Sequence, residues 1–246
     1  MIRQAMVQSA KELAQGFIGA ARREGRKALD EAAAKQVLAA YGIKVPRSLK
    51  LPVEGPLPAA LPALTPPYVL KIMSPDALHK SDIGGVRLGL VDAASVAAAR
   101  KEMAGAAARA GVRLDGFLLE ETAPAGHDVV VGGVRDPSFG QTLMVGLGGI
   151  FVEVLNDVAF RVCPIQPVDA REMLAELRGA AVLSGARGGV RVKESTLVNL
   201  LMQVGGPGGL LDQLAEELAE VDLNPIIVSP DGAVAVDARL VLTGGE

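Results

Sequence analysis

Between residues 116 and 165 the chain passes through four short apolar segments in succession: GFLLEETA, DVVVGGVRD, TLMVGLGGIFVEV and VAFRVCPI. Each is rich in β-branched or large aliphatic residues, and Gly, Pro and Asp fall at the joins. β-Branched runs separated by turn residues predict antiparallel strands. Around them the sequence reads as mixed helix and strand. Helices are expected at 9–23 (with Ser9 and Glu12 as a capping box), from Asp30 as N-cap to a stop at Gly42, and at 93–110, 168–178, 194–203 and 208–220. Further strands are expected in IKVPRSLKL, broken at Pro46, and in YVLKIM and VRLGLV. The last two, AEVDLNPIIV and GAVAVDARLVL, are joined by a turn around Pro230-Asp231-Gly232. The order predicts an α+β fold, with helices packed on partly antiparallel sheets, rather than a doubly wound α/β sheet. Residues 52–67 hold six prolines and read as a loop where a small segment is spliced into a larger one.

Composition narrows the class. The chain has 246 residues, 50% of them apolar, but only 3% aromatic with no Trp, so its core must be built from Ala, Val, Leu and Ile. The net charge of −3 gives no basic footprint for nucleic acid. No apolar run is long enough to span a bilayer, and residues 1–29 carry charges throughout, unlike a signal peptide. The single cysteine, Cys163, has no internal disulfide partner and reads as a small buried residue, which suits a cytoplasmic protein.

The chemistry concentrates in LKIMSPDALHKSDIGGV, residues 70–86. An apolar run delivers Lys71 at its end. His79, one of only two histidines, follows beside Lys80 and Ser81, and then Gly84 and Gly85 free backbone N–H groups. A cation, an imidazole able to attack or deprotonate near pH 7, and exposed amides are parts for handling phosphate. Each also has a plain reading: Lys71 as a solvated strand end, His79 as an ordinary loop residue. Glu120 and Glu121 follow FLL at a strand end and face opposite ways, so only one can point into a given cleft. Asp128 offers another carboxylate a few residues on.

The C-terminal residues form a second constellation. Asp222 and Asn224 are spaced i, i+2 and share one face of a strand, and Asp237 lies mid-strand between apolar residues in VAVDARL. If these strands pair, their hard oxygens converge in a way that suits Mg²⁺ on nucleotide phosphates. Otherwise Asp237 pairs with Arg239 or a turn amide. The loop VGLGGIFVE carries Gly146, Gly148 and Gly149 but matches neither a GxGxxG nor a Walker loop.

Taken in order, EAAAKQVLAAYGIKVP, VLKIMSPDALHKSDIGGV, LLEETAPAGHDVVVGGVRDPSFG, GLGGIFVEVLNDVAFR, LRGAAVLSGARG and EVDLNPIIV…VAVDARLVL resemble the ATP-grasp (β) subunit of ADP-forming acetate–CoA ligases, relatives of succinyl-CoA synthetase. The resemblance implies an ATP-grasp fold over residues 30–246, a small N-terminal and a larger C-terminal subdomain clamping ATP, with residues 1–29 as a helical extension. It implies the reaction of ATP, a carboxylate and CoA to ADP, phosphate and acyl-CoA, with phosphate carried by histidine. Residue by residue, it assigns nucleotide phosphates to Lys71, with Gly84 and Gly85 in the same motif, and the adenine-ribose hinge to Glu120 and Glu121. It assigns a nucleotide contact to Asp128, where the family has Glu, Mg²⁺ to Asn224 and Asp237, and phosphoryl relay to His79 and Asp222. It also implies a partner α subunit that binds CoA and carries the phosphohistidine loop, because this chain shows no CoA-binding Rossmann motif. The rival readings are a stand-alone ATP-grasp ligase joining a carboxylate to an amine, and a non-catalytic nucleotide-sensing module.

Overall fold

The structure is a computed structural model; it describes residues 2–57, 63–75, 83–149, 152, 155–186 and 190–244. The chain divides into two compact units, one of Met1–Val45 with Pro124–Glu246, the other of Pro46–Ala123.

The smaller unit is a four-stranded antiparallel sheet with one helix on it. Its strands are β1 (Ser48–Leu51), β2 (Tyr68–Met73), β3 (Val86–Leu90) and β4 (Gly116–Glu121), in the order β1-β4-β2-β3. Helix α3 (Ala93–Arg109) starts at a capping box in which Asp92 and Ser95 bond each other's backbone amides. Alternation decides what α3 meets: Tyr68, Leu70 and Ile72 of β2 and Phe117 and Leu119 of β4 share a core with Val96, Ala99 and Met103. Val69, Lys71, Leu118 and Glu120 therefore point to the opposite face. Lys71 is the fourth of six strand residues, not the strand's end, and all six are buried.

The larger unit begins with α1 (Ile2–Arg23) and α2 (Glu31–Ala40) and resumes with the hairpin β5 (His127–Asp136) and β6 (Gly140–Leu147), then β7 (Val158–Val162). Helices α4 (Pro167–Glu176), α5 (Ala180–Leu183), α6 (Glu194–Gly205) and α7 (Leu210–Gln213) follow, and β8 (Leu218–Ser229), β9 (Gly232–Ala235) and β10 (Arg239–Leu242) close the sheet. Its order is β10-β8-β5-β6-β7, with β9 also on β8. One face carries Val129, Val131, Leu143, Val145, Val221, Leu223 and Ile226, which pack in a single core with Ala14, Ile18, Ala34, Leu38, Leu201 and Leu211 of the helices. With so few aromatics, Ala and small aliphatics fill that core, as the composition requires.

IKVPRSLKL breaks at Pro46, as its sequence suggests, and forms strand only after it, where the missing N–H no longer interrupts the ladder. Three local expectations are corrected. Helix α1 starts at Ile2, so Ser9 lies inside it and caps nothing. The stretch 208–220 is one helical turn, because from Leu218 the backbone pairs with β10 and, from Glu220, with β5. GAVAVDARLVL is not one strand but two, and Asp237 sits in the break between β9 and β10.

Candidate functional site

Helices cover one face of the large sheet; the sequence-predicted residues of this unit lie on the other. In β5 the odd residues Val129 and Val131 enter the core, which turns Asp128, Val130, Gly132 and Val134 outward. Gly132 is the register partner of Asp222, which puts Asp222 outward, and Asp128 is the partner of Ile227. Thus Asp128 and Asp222 share a face, and Asp128 and Asn224 are exposed.

The strand pairing explains how Asp237 joins them. Ile226 pairs with Ala235 of β9 and Asp222 with Arg239 of β10, both antiparallel. Counting inward from either end places Asn224 opposite Asp237. On its other edge β8 shifts register against β5 between Val129/Ile226 and Val131/Leu223, so one extra residue is accommodated at Asn224-Pro225. Proline suits such a bulge because it has no N–H to give to a ladder. The Val236 N–H bonds the Pro225 carbonyl at 3.1 Å, and Asp237 Oδ1 accepts from the Ala238 N–H at 2.8 Å.

This corner is rich in carboxylate. Partial burial, and next the charges of Glu220 and Asp237, raise the Asp222 carboxyl above the ordinary 3.8; Arg239 opposes them. Arg239 is itself drawn to Glu220, Nη1 to Oε1 at 3.4 Å. An amide oxygen facing a carboxylate, with a second carboxylate two residues along, is an all-oxygen donor set that fits a hard divalent cation. Among the described residues no three His, Cys, Asp or Glu side chains gather into a cage. A cation held here would keep water or phosphate oxygens in its remaining positions, the habit of a nucleotide-bound ion.

In the small sheet, Lys71 and Glu120 meet as a diagonal cross-strand pair: Lys71 registers with Leu118, and Val69 with Glu120. Lys71 Nζ lies 3.2 Å from Glu120 Oε2, with side chains 8% and 2% exposed. Gly85 leads into Val86, the partner of Lys71 on the other side, and its carbonyl accepts from the Ile72 N–H at 2.9 Å. Gly84 turns the chain with φ of 66°, a value glycine adopts freely. Glu121 faces the other way: its carboxylate accepts from the Thr65 N–H at 2.8 Å and meets Arg47 at 3.3 Å. The structure thus brings Lys71, Glu120 and Gly85 together and leaves Glu121 tying down a loop. His79 lies outside the described residues.

The glycine loop serves packing. A Cβ on Gly148 would stand 2.6 Å from Asp128 Cβ, and one on Gly146 would stand 2.9 Å from both Val152 and Val158. Gly148 instead donates its N–H to the Asp128 carbonyl at 2.8 Å, which fixes the start of β5. Burial, and then Asp212, push the Cys163 thiol up to about 12, so it is no nucleophile at neutral pH.

Buried charged groups at two places among the described residues escaped the sequence reading. Asp157, 3% exposed, accepts the N–H groups of Arg178 and Gly179 at 2.8 Å each, organising the turn into α5. Glu31 and Lys35 of α2 form a 2.8 Å ion pair with side chains 3% and 2% exposed. A Glu–Lys pair four apart in an otherwise apolar EAAAKQVLAA helix was the available signal, but such spacing usually marks a solvated face.

A profile of the ATP-grasp domain matches residues 20–242. Over 231 residues the chain is 40% identical to the "Acetate–CoA ligase [ADP-forming] I subunit beta" of Pyrococcus furiosus, covering 93% of this chain and 97% of that one. It is 37% identical over 208 residues to the "Acetate–CoA ligase [ADP-forming] I" of Archaeoglobus fulgidus, covering 84% of this chain but 30% of that longer protein. Among solved structures, an acetyl-coenzyme A synthetase 1 of Ca. Korarchaeum cryptofilum superposes with a TM-score of 0.78 at 37% identity, covering 93% of this chain and 99% of that one. That structure holds coenzyme A and Mg-AMPPCP, with a phosphohistidine segment pointing towards the nucleotide binding site. The chain is an ATP-grasp protein and belongs, within that class, to the family of ADP-forming acetate–CoA ligase β subunits. Among the described residues no helix is long and apolar enough to cross a membrane.

Proposed function

We propose that the chain is the nucleotide-binding subunit of an ADP-forming acyl-CoA ligase, taking ATP, a carboxylate and CoA to ADP, phosphate and acyl-CoA with a CoA-binding α subunit as partner. The observation that carries this reading is the strand break that sets Asn224 opposite Asp237 beside Asp222, in a chain that matches a β subunit over nearly its whole length. Asn224 and Asp237 would hold Mg²⁺, which when bound neutralises charge on the transferred phosphoryl group. Lys71 contacts nucleotide phosphates, and Glu120, 3.2 Å from its ammonium, keeps it aimed while it does so. Glu120 and Glu121 mark the adenine-ribose hinge, Gly84 and Gly85 offer amides to phosphate, and Asp128 faces the nucleotide from β5. His79 accepts the phosphoryl group and passes it to the partner's histidine. That relay splits one hard transfer into two easier ones. Asp222, two residues before Asn224 on the same strand, orients the histidine of the partner's loop.

The test is a labelling experiment. The chain is co-expressed with a CoA-binding partner subunit and given γ-labelled ATP and Mg²⁺. The expected result is acid-labile, base-stable label on the partner, lost in His79→Ala and discharged by acyl-CoA formation. Ligation of a carboxylate to an amine, with no partner and no phosphohistidine, would overturn the reading.

A further inference from the structure

The break between β9 and β10 has a structural consequence for the backbone beside it. In an antiparallel ladder every second facing pair is hydrogen-bonded, and its two residues exchange both N–H···O bonds. Val236 gives its N–H to the Pro225 carbonyl, but Pro225 has no N–H to return. The Val236 carbonyl therefore gets no ladder bond from Pro225, and a partly buried carbonyl is satisfied from elsewhere. Lys35 supplies a donor from the helix layer: its Nζ lies 2.7 Å from the Val236 oxygen. Lys35 is held in turn by Glu31 Oε1 at 2.8 Å, and α2 is fixed at its start by Asp30, whose Oδ1 accepts from the Ala33 N–H at 2.9 Å. The residue after Val236 is Asp237.

We infer that the buried Glu31–Lys35 pair is a positioning device for Asp237: it grips the Val236 carbonyl that Pro225 cannot serve, and so fixes the break that sets Asp237 opposite Asn224. Burying an ion pair for stability alone is poor design, since apolar side chains of the same size pack as well or better. What an apolar pair cannot do is donate to that carbonyl. Groups behind metal ligands set ligand orientation in this way. The inference rests on the reading of Asn224 and Asp237 as cation ligands.

The experiment measures Mn²⁺ binding to the full chain in the presence of ADP, by the EPR signal of free Mn²⁺. Three variants are compared with the unmodified protein: Glu31→Gln/Lys35→Met, Asp237→Asn and Leu38→Ala. The first removes the donor and both charges of the pair together, and a thermal melt checks that it folds. Leu38 is fully buried on the same helix, so its truncation loosens the core without touching the carbonyl. The expected result is a dissociation constant for Mn²⁺ raised about 10-fold in the double variant, with metal-free ADP binding unchanged. Asp237→Asn weakens Mn²⁺ at least as much, and Leu38→Ala leaves it alone. Unchanged Mn²⁺ binding in the double variant, with weakened binding in Asp237→Asn, overturns the positioning role and spares the cation site. Equal weakening in Leu38→Ala also overturns it, because Lys35 would then act through packing alone. Unchanged binding in Asp237→Asn removes the cation site itself and the inference with it.

Discussion

The two sheets keep their chemical groups in opposite states. On the small sheet the charge is paired and buried: Lys71 against Glu120 across neighbouring strands, 8% and 2% exposed. On the large sheet it is gathered at a more open corner: burial, and next Glu220 and Asp237, raise the Asp222 carboxyl, Arg239 opposes them, and Asp128 and Asn224 stand exposed. A paired site holds its own geometry without a ligand. A carboxylate-rich one is eased by a bound cation. On the function proposed above, the small sheet presents a preset cation to phosphate and the large sheet collects one from solution.

The sharpest way to break this comparison is Lys71→Met. It strands Glu120 in the interior, and removing one partner of a buried pair costs about 3–5 kcal/mol. Chemical denaturation should show that loss. Lys71→Met/Glu120→Gln should recover most of the stability and none of the phosphoryl transfer. If the single variant unfolds with unchanged stability, the pair is not closed and the contrast with the large sheet fails.

The next largest effect tests how the open face is built. Asp128 is held there by backbone packing, with Gly148 against its Cβ, and no ion pair involving it is seen among the described residues. Gly148→Ala forces the strand start to shift, an overpacking that costs about 1–3 kcal/mol. Nucleotide affinity should fall with it, measurable by calorimetry with ADP. Full affinity in a stable Gly148→Ala protein would mean that the position of Asp128 does not matter to binding.

How much of this was legible in the sequence depends on whether the signal is local. The strands from 116 to 147 and 158 to 162, the α+β class and the cap Asp30 follow from patterning and turn chemistry at short range. The same holds for the i, i+2 placement of Asp222 and Asn224 on one face. The helix expected at 208–220 failed because pairing to β5 and β10, far away in sequence, overrides the helix propensity of Leu and Glu. Asp237 was read mid-strand because nothing in VAVDARL announces a break. The cause is Pro225, twelve residues earlier on the facing strand. The burial of Glu31 and Lys35 is likewise invisible locally, since it depends on a helix packed against the sheet.

A smaller effect, with a definite sign, comes from Asp222. Its folded carboxyl titrates above the unfolded value of 3.8. Above the folded pKa it is ionised in both states, and the penalty of holding that charge partly buried, with Glu220 and Asp237 near it, is fully present. As pH falls through the folded pKa toward 3.8 the native state takes up the proton first, and the penalty disappears. Asp222→Asn should therefore raise Tm at pH 7 to 8 and lose that advantage as pH approaches 3.8. Mg²⁺ should shrink the gain at neutral pH by offsetting the same repulsion in the unmodified protein. A gain that is flat with pH would mean that packing, not charge, is relieved.

The smallest effect separates the two adjacent glutamates. Glu121 meets an Arg47 that is 63% exposed, and a glutamine can still accept from the Thr65 N–H. Surface pairs of this kind are worth under about 1 kcal/mol, so Glu121→Gln should leave stability nearly unchanged. Glu120→Gln, by contrast, takes the charge from beside a buried ammonium and should both destabilise the fold and raise the nucleotide KM. The ratio of the two KM values measures whether the strand's alternation assigns nucleotide contact to one carboxylate. If Glu121→Gln raises KM as far as Glu120→Gln does, both faces of β4 act on the nucleotide, and Glu121 must leave Thr65 and Arg47 when the nucleotide binds.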